Sequence, residues 1–173
     1  LVGDTVAVTE WLHGAAAIPA SPALSKDPTT MQISQTRPQI TYAAALALVE
    51  AAMTHARDNG WEVAAAVTDP FGTLVAFGRT DGAAPPVAAF AVDKAYTAGT
   101  LRKSTRAFGE RMAASPTLSL GLATRQRFIA WGGGLAVFEE GACIGGLGVS
   151  GAQEHEDIAC AEAAIRALGL TQG

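Results

Sequence analysis

The chain has 173 residues, 49% hydrophobic and 16% charged, with a formal net charge of -4 and a pI near 5.3. That length supports one domain with a proper core, and the composition is that of a globular protein. The acidic balance argues against a nucleic-acid partner, the one basic cluster (Arg102, Lys103, Arg106) reads as solvated surface, and no apolar run reaches the ~20 residues that span a bilayer.

Residues 1–40 contain Pro19, Pro22, Pro28 and Pro38 with Ser and Thr between them and no sustained periodicity, so they read as an irregular N-terminal extension. The mildly apolar Trp11–Ala20 segment follows Asp4 and Glu10, where a secretory signal would carry positive charge. A cytoplasmic location is the expectation, with secretion left open. The domain proper is expected over residues 41–170.

Thr41 is a good N-cap, and Tyr42, Leu46, Val49, Met53 and Ala56 recur at alternating four- and three-residue steps until Asn59-Gly60, which predicts a first helix. Val63–Asp69 and Thr73–Arg79 read as strands of a β-hairpin around Asp69-Pro70-Phe71-Gly72. Pro85-Pro86 opens a second helix running to Leu101, since proline is tolerated in a first turn. Ser104–Leu122 reads as a helical stretch broken near Pro116. Strands are expected at Arg127–Trp131, Leu135–Glu139 and Ala142–Val149, the last two joined at Glu140-Gly141. A final helix over about Gln153–Leu168 carries Ile158, Ala161, Ile165 and Leu168 as its apolar stripe. Tight turns force antiparallel pairing, so the fold class is α+β, a layered single domain and not a doubly wound parallel sheet. Abundant alanine with 19 glycines and 6% aromatics implies helices packed close to the sheet. Cys143 and Cys160 share no CxxC spacing and read as free buried thiols.

Lys94 is the most informative residue. In the second helix Val87, Phe90, Ala91, Ala98 and Leu101 form one apolar stripe, and Lys94 falls inside it. A buried ammonium is costly, so it must pair with a carboxylate, lose its proton or face a cavity. Two readings stand: a ligand pocket between this helix and the sheet with Asp69 or Asp81 as counter-charge, or a closed buried pair with no ligand.

No P-loop, GxSxG elbow, HExxH or dinucleotide fingerprint is present. Gly132-Gly133-Gly134 reads as an anion nest or a strand crossing point, and Gly148–Ala152 leads into a helix N-terminus that attracts an anion or is capped by Glu154, Glu156 and Asp157. His13 and His55 read as solvated. His155 is a weak metal-ligand candidate, because its neighbours Glu154 and Glu156 point in other directions on a helix.

The segments Ala66–Asp69, Gly72, Leu74–Phe77, Arg79, Asp81–Ala83, Lys94–Ala98, Gly133–Leu135, Gly141 and Gly148–Ala152 together resemble the GlcG/HbpS family of haem-binding proteins, which includes the C-terminal domain of PduO-type adenosyltransferases. The resemblance covers roughly residues 41–170. It implies a five-stranded antiparallel sheet flanked by helices, a homo-oligomer, and a link to haem, cobalamin or iron, with haem or a related tetrapyrrole as the expected ligand and weak haem degradation as a further activity. Asp69, Arg79, Asp81, Gly82, Lys94, Thr97, Gly133, Gly134, Ser150 and Gly151 fall on the family's recurring positions. The ligand set it implies is Arg79, Asp81, Lys94, Thr97, Gly133, Gly134, Ser150 and Gly151. No axial haem ligand carries over: His155 stands where another polar residue is expected, and Val87 replaces a small hydroxyl residue. The alternative is a small cofactor-independent enzyme acting on an organic acid or aromatic catabolite, with Lys94 as anion clamp and Asp69 or His155 as acid/base group. A third reading is an accessory protein that binds no small molecule.

Overall fold

The computed structural model describes residues 32–173. The chain divides into two units, Leu1–Arg37 and Pro38–Gly173. Of the first, residues 32–37 are exposed and without regular structure; Trp11–Ala20, His13 and the prolines at 19, 22 and 28 lie outside the described residues.

The second unit begins with α1 (Tyr42–Asp58), where the Thr41 hydroxyl accepts from the Ala44 amide at 3.3 Å. Gly60 then leaves the helix at φ 73°, a left-handed turn that favours glycine. Strands β1 (Ala64–Thr68) and β2 (Leu74–Arg79) form the first hairpin. After them come α2 (Pro86–Leu101), α3 (Thr105–Ala113) and α4 (Pro116–Leu122), the last two separated at Pro116 as the sequence predicts. The second hairpin is β3 (Gly134–Glu139) and β4 (Ala142–Ser150), turned through Glu140 at φ 49° and Gly141 at φ 81°. Two positive φ values in a row match the twist of an antiparallel hairpin. Helix α5 (Glu154–Ala167) and the short β5 (Thr171–Gln172) complete the unit.

The five strands are all antiparallel in the order β2-β1-β4-β3-β5. Alternation along the strands sends Val63, Ala65, Val67, Leu135, Val137, Leu147 and Val149 toward α1 and α5, which supply Leu48, Val49, Ala52, Cys160, Ala161 and Ile165 to the main core. Ala64 and Ala66 point the other way and meet Ala91 and Ala95 of α2. On that face α2 lies almost against the sheet backbone: a methyl group on Gly146 would strike the Ala95 carbonyl, and one on Gly148 the Ala91 carbonyl. Small residues on both sides set this spacing, as the composition implied.

Two expectations need correction. Arg127–Trp131 is not a strand: Arg127 sits at φ 69°, outside extended geometry, and the segment is tied to α2 instead. The fifth strand is β5, which pairs with β3 through Val137–Gln172 and Phe138–Thr171. The buried face of α2 is also narrower than its apolar residues suggest. It consists of Ala91, Lys94, Ala95, Thr97, Ala98 and Gly99, while Phe90 is 39% exposed.

Candidate functional site

Lys94 is completely buried, and its ammonium donates to the Asp157 carboxylate and the Val149 carbonyl, each at 2.8 Å. Lys94 belongs to α2 and Asp157 to α5, so the pair joins the helical layers on opposite faces of the sheet. The other Asp157 oxygen accepts from the Ala152 amide at 3.1 Å, which fixes the turn from β4 into α5. Burial pushes the Asp157 carboxyl up from its ordinary range and the Lys94 ammonium down, each opposed by the attraction of its partner. The expected counter-charges, Asp69 and Asp81, are therefore replaced by Asp157. Asp69 instead closes the first hairpin by accepting from the Phe71 amide at 2.8 Å and the Thr73 amide at 2.9 Å. Asp81 is exposed in the turn after β2.

Several of the sequence-predicted ligand residues gather around this pair. Gly133 has φ 105°, and a methyl group there would lie 2.5 Å from the Val149 carbonyl and 2.7 Å from the Lys94 ammonium. A methyl on Gly134 would lie 2.7 Å from the Lys94 carbonyl and 2.5 Å from Thr105. Ser150 ends β4 and is buried, and Gly151 follows at φ 141° against the Glu62–Val63 backbone. Thr97 donates to the Arg127 carbonyl at 2.9 Å and accepts from the Ile129 amide at 3.0 Å, holding the 127–129 loop on α2. Arg79 is exposed at the end of β2, opposite Ala64.

The residues named for the enzyme reading do not converge. Lys94 reaches Val149, which pairs with Ala65, while Asp69 lies four residues further along the chain from Ala65, ~13 Å at strand spacing. His155 is exposed and lies two helical positions from Asp157, about 200° around α5. Among the described residues no group of three or more His, Cys, Asp or Glu could hold a metal ion. No described helix is long and apolar enough to cross a membrane.

An open cleft of about 290 Å³ lies on the other side of Gly133 and Gly134. Ser104 and Arg106 of the α3 start form one wall, and Ile158 and Glu162 of α5 the other. Arg106 makes a loose, half-exposed ion pair with Glu154 at 3.4 Å. Sequence reasoning passed over Arg106 as part of a solvated basic cluster and over Asp157 as a helix-capping anion. Asp157 carried a signal: it falls in register with Ala161 and Ala164 on the buried side of α5, as Lys94 does on α2.

The family model described as "Haem degrading protein HbpS-like" matches residues 40–166. The chain is 34% identical over 136 residues to an uncharacterized 15.0 kDa protein of the dhaT-dhaS intergenic region of Citrobacter freundii, covering 78% of this chain and 96% of that protein. It is similar in structure to the Klebsiella pneumoniae protein ORFY, with a TM-score of 0.76 and 29% identity over 80% of this chain and 97% of that one. It is also similar to PduOC, solved as a haem complex, with a TM-score of 0.70 and 26% identity over 77% of this chain and 97% of that one. A match across the whole α1–α5 framework, on top of the glycine and lysine positions just described, means that this chain belongs to the HbpS-like family.

Proposed function

We propose that this protein binds haem or a closely related tetrapyrrole. The observation that carries the reading is its likeness to PduOC, whose structure was determined with haem bound. The chemistry of the cleft beside Gly133 and Gly134 is compatible with such a ligand. Ile158 offers apolar surface, and Arg106 offers a cation for a ring carboxylate. Haem would supply an iron centre, and the chain's own residues would bind and orient the ring. Lys94 has no part in contacting the ligand in this reading, since it is sealed against Asp157 and Val149.

Weak haem degradation and assembly into a cytoplasmic homo-oligomer are further parts of the proposal. Degradation is supported by the family's description alone. Self-association is supported by β2, an edge strand on which Leu74 is 47% and Phe77 41% exposed. The test is a hemin titration of the purified protein followed by absorption. The expected result is a saturable, sharpened Soret band with one defined stoichiometry per chain. A featureless response that never saturates would overturn haem binding.

A further inference from the structure

The cleft beside Gly133 and Gly134 sorts its hydrogen-bonding side chains by wall. On the α3 side stand donors: the Arg106 guanidinium, and the Ser104 hydroxyl, which accepts from the Ala107 amide at 3.2 Å and so has its proton left to donate. On the α5 side stands an acceptor, the Glu162 carboxylate, with Ile158 one turn before it as the apolar part of that wall. At about 290 Å³ the space is at the lower end of small-molecule sites, ~300–1,000 Å³, and suits a ligand of a few carbon atoms.

The two charged groups are held differently. Arg106 directs both of its contacts, at 3.4 Å each, to a single oxygen of Glu154, and the two side chains are 51% and 48% exposed. An exposed pair of that kind contributes little and exchanges readily, whereas an incoming carboxylate can take the guanidinium through two parallel bonds. Glu154 is then released to solvent. Glu162 is engaged through both oxygens, by the Arg166 guanidinium at 3.4 Å and the side-chain amide of Gln172 at 3.5 Å. Its charge is thereby matched, but a carboxylate offers about four lone-pair sites, so it has room to accept more. The donor that suits it is a neutral O–H, since an ammonium would meet a carboxylate already paired with a cation.

We infer that the cleft binds a short hydroxy acid, its carboxylate on Arg106 and Ser104 and its hydroxyl donating to Glu162. Such a ligand is separate from the tetrapyrrole, and the hemin titration does not decide it.

Glu154 is the site's own competitor for Arg106, so substitutions at these two positions have opposite signs. Wild type, Arg106→Gln, Glu154→Gln and Glu162→Ala are titrated with sodium lactate, sodium propionate and alanine, with sodium chloride as the ionic-strength control. Binding is read from the NMR shifts of the Gly133 and Gly134 backbone amides. All three positions are at least partly exposed, and retention of the fold is read from the rest of the spectrum.

Wild type is expected to bind lactate saturably, and propionate and alanine several-fold more weakly. Arg106→Gln is expected to weaken lactate roughly tenfold, and Glu154→Gln to tighten it about two- to fivefold by freeing the guanidinium. Glu162→Ala is expected to bring lactate down to the level of propionate. Lactate that gives the same nonsaturating shifts as sodium chloride would overturn the site, as would Arg106→Gln or Glu154→Gln titrations indistinguishable from wild type. Alanine bound as tightly as lactate would overturn the hydroxyl contact to Glu162.

Discussion

Lys94 and Asp157 each interrupt the buried face of a different helix, and the two interruptions meet at 2.8 Å across the end of the sheet. Neither charge could be tolerated alone in that place. Together they tie α2 to α5 and hold the β4–α5 turn through the Val149 carbonyl and the Ala152 amide.

A mutant cycle measures this tie. Lys94→Met strands a buried carboxylate and Asp157→Leu strands a buried ammonium, and each is expected to cost about 3–5 kcal/mol in urea unfolding. The double variant is expected to cost far less than the two singles combined, because desolvation of both charges is relieved together. Single variants that lose under about 1 kcal/mol would show that the pair does not hold the layers.

The glycine lane under α2 gives a second expectation. Gly148→Ala and Gly133→Ala put a methyl into backbone that has no room to yield, Gly133 also being left-handed at φ 105°. Each is expected to destabilise by several kcal/mol, roughly the 1–3 kcal/mol of overpacking plus, at Gly133, the strain of positive φ. Gly121→Ala in α4 serves as the control: nothing lies within 4 Å of the added methyl and its φ is not left-handed, so no loss is expected. A loss in Gly148→Ala no larger than that in Gly121→Ala would contradict the close α2 packing.

The two thiols should differ from free cysteine in opposite degrees of access. Burial, then the nearby Asp157 and Glu156 carboxylates, push Cys160 up to about 12, and burial raises half-buried Cys143 as well. At pH 8 both are protonated, so native-state alkylation followed by mass spectrometry should show Cys143 modified slowly and Cys160 only after unfolding. A thiol whose folded pKa is raised stabilises the fold below its ordinary value of 9.0, and that stability is lost as pH rises toward about 12. Cys160→Ala should therefore flatten the alkaline fall in stability. Rapid labelling of Cys160 in the native protein would refute its sealed position.

The hairpins and long helices were legible because their signals are local. Thr41, Asp69 through Gly72, Pro86, Pro116 and Glu140-Gly141 each dictate a cap, a turn or a break within a few residues, and the structure places all of them so. Lys94 was legible as an anomaly because helical periodicity is also local. Its partner was not, since Asp157 lies 63 residues away and sits among helix-start carboxylates that have an ordinary explanation. The two-residue β5 is too short to show alternation, and Arg127–Trp131 has the composition of a strand while the hydrogen bonds of Thr97 hold it as a loop. The Arg106 cleft exists only once α3, α5 and the Gly133-Gly134 backbone are brought together.

The Gly133-Gly134 backbone beside that cleft restricts how its shape can be altered. A side chain at Gly133 or Gly134 would run into Lys94, Thr105 or the Val149 carbonyl, so those two positions are closed to retuning by substitution. Substitutions that reshape the cleft and leave the fold intact are confined to Arg106, Ile158, Glu162 and their neighbours on α3 and α5. The framework is thus a fixed bed beneath two substitutable helical walls, with its foldability carried by the glycines between them.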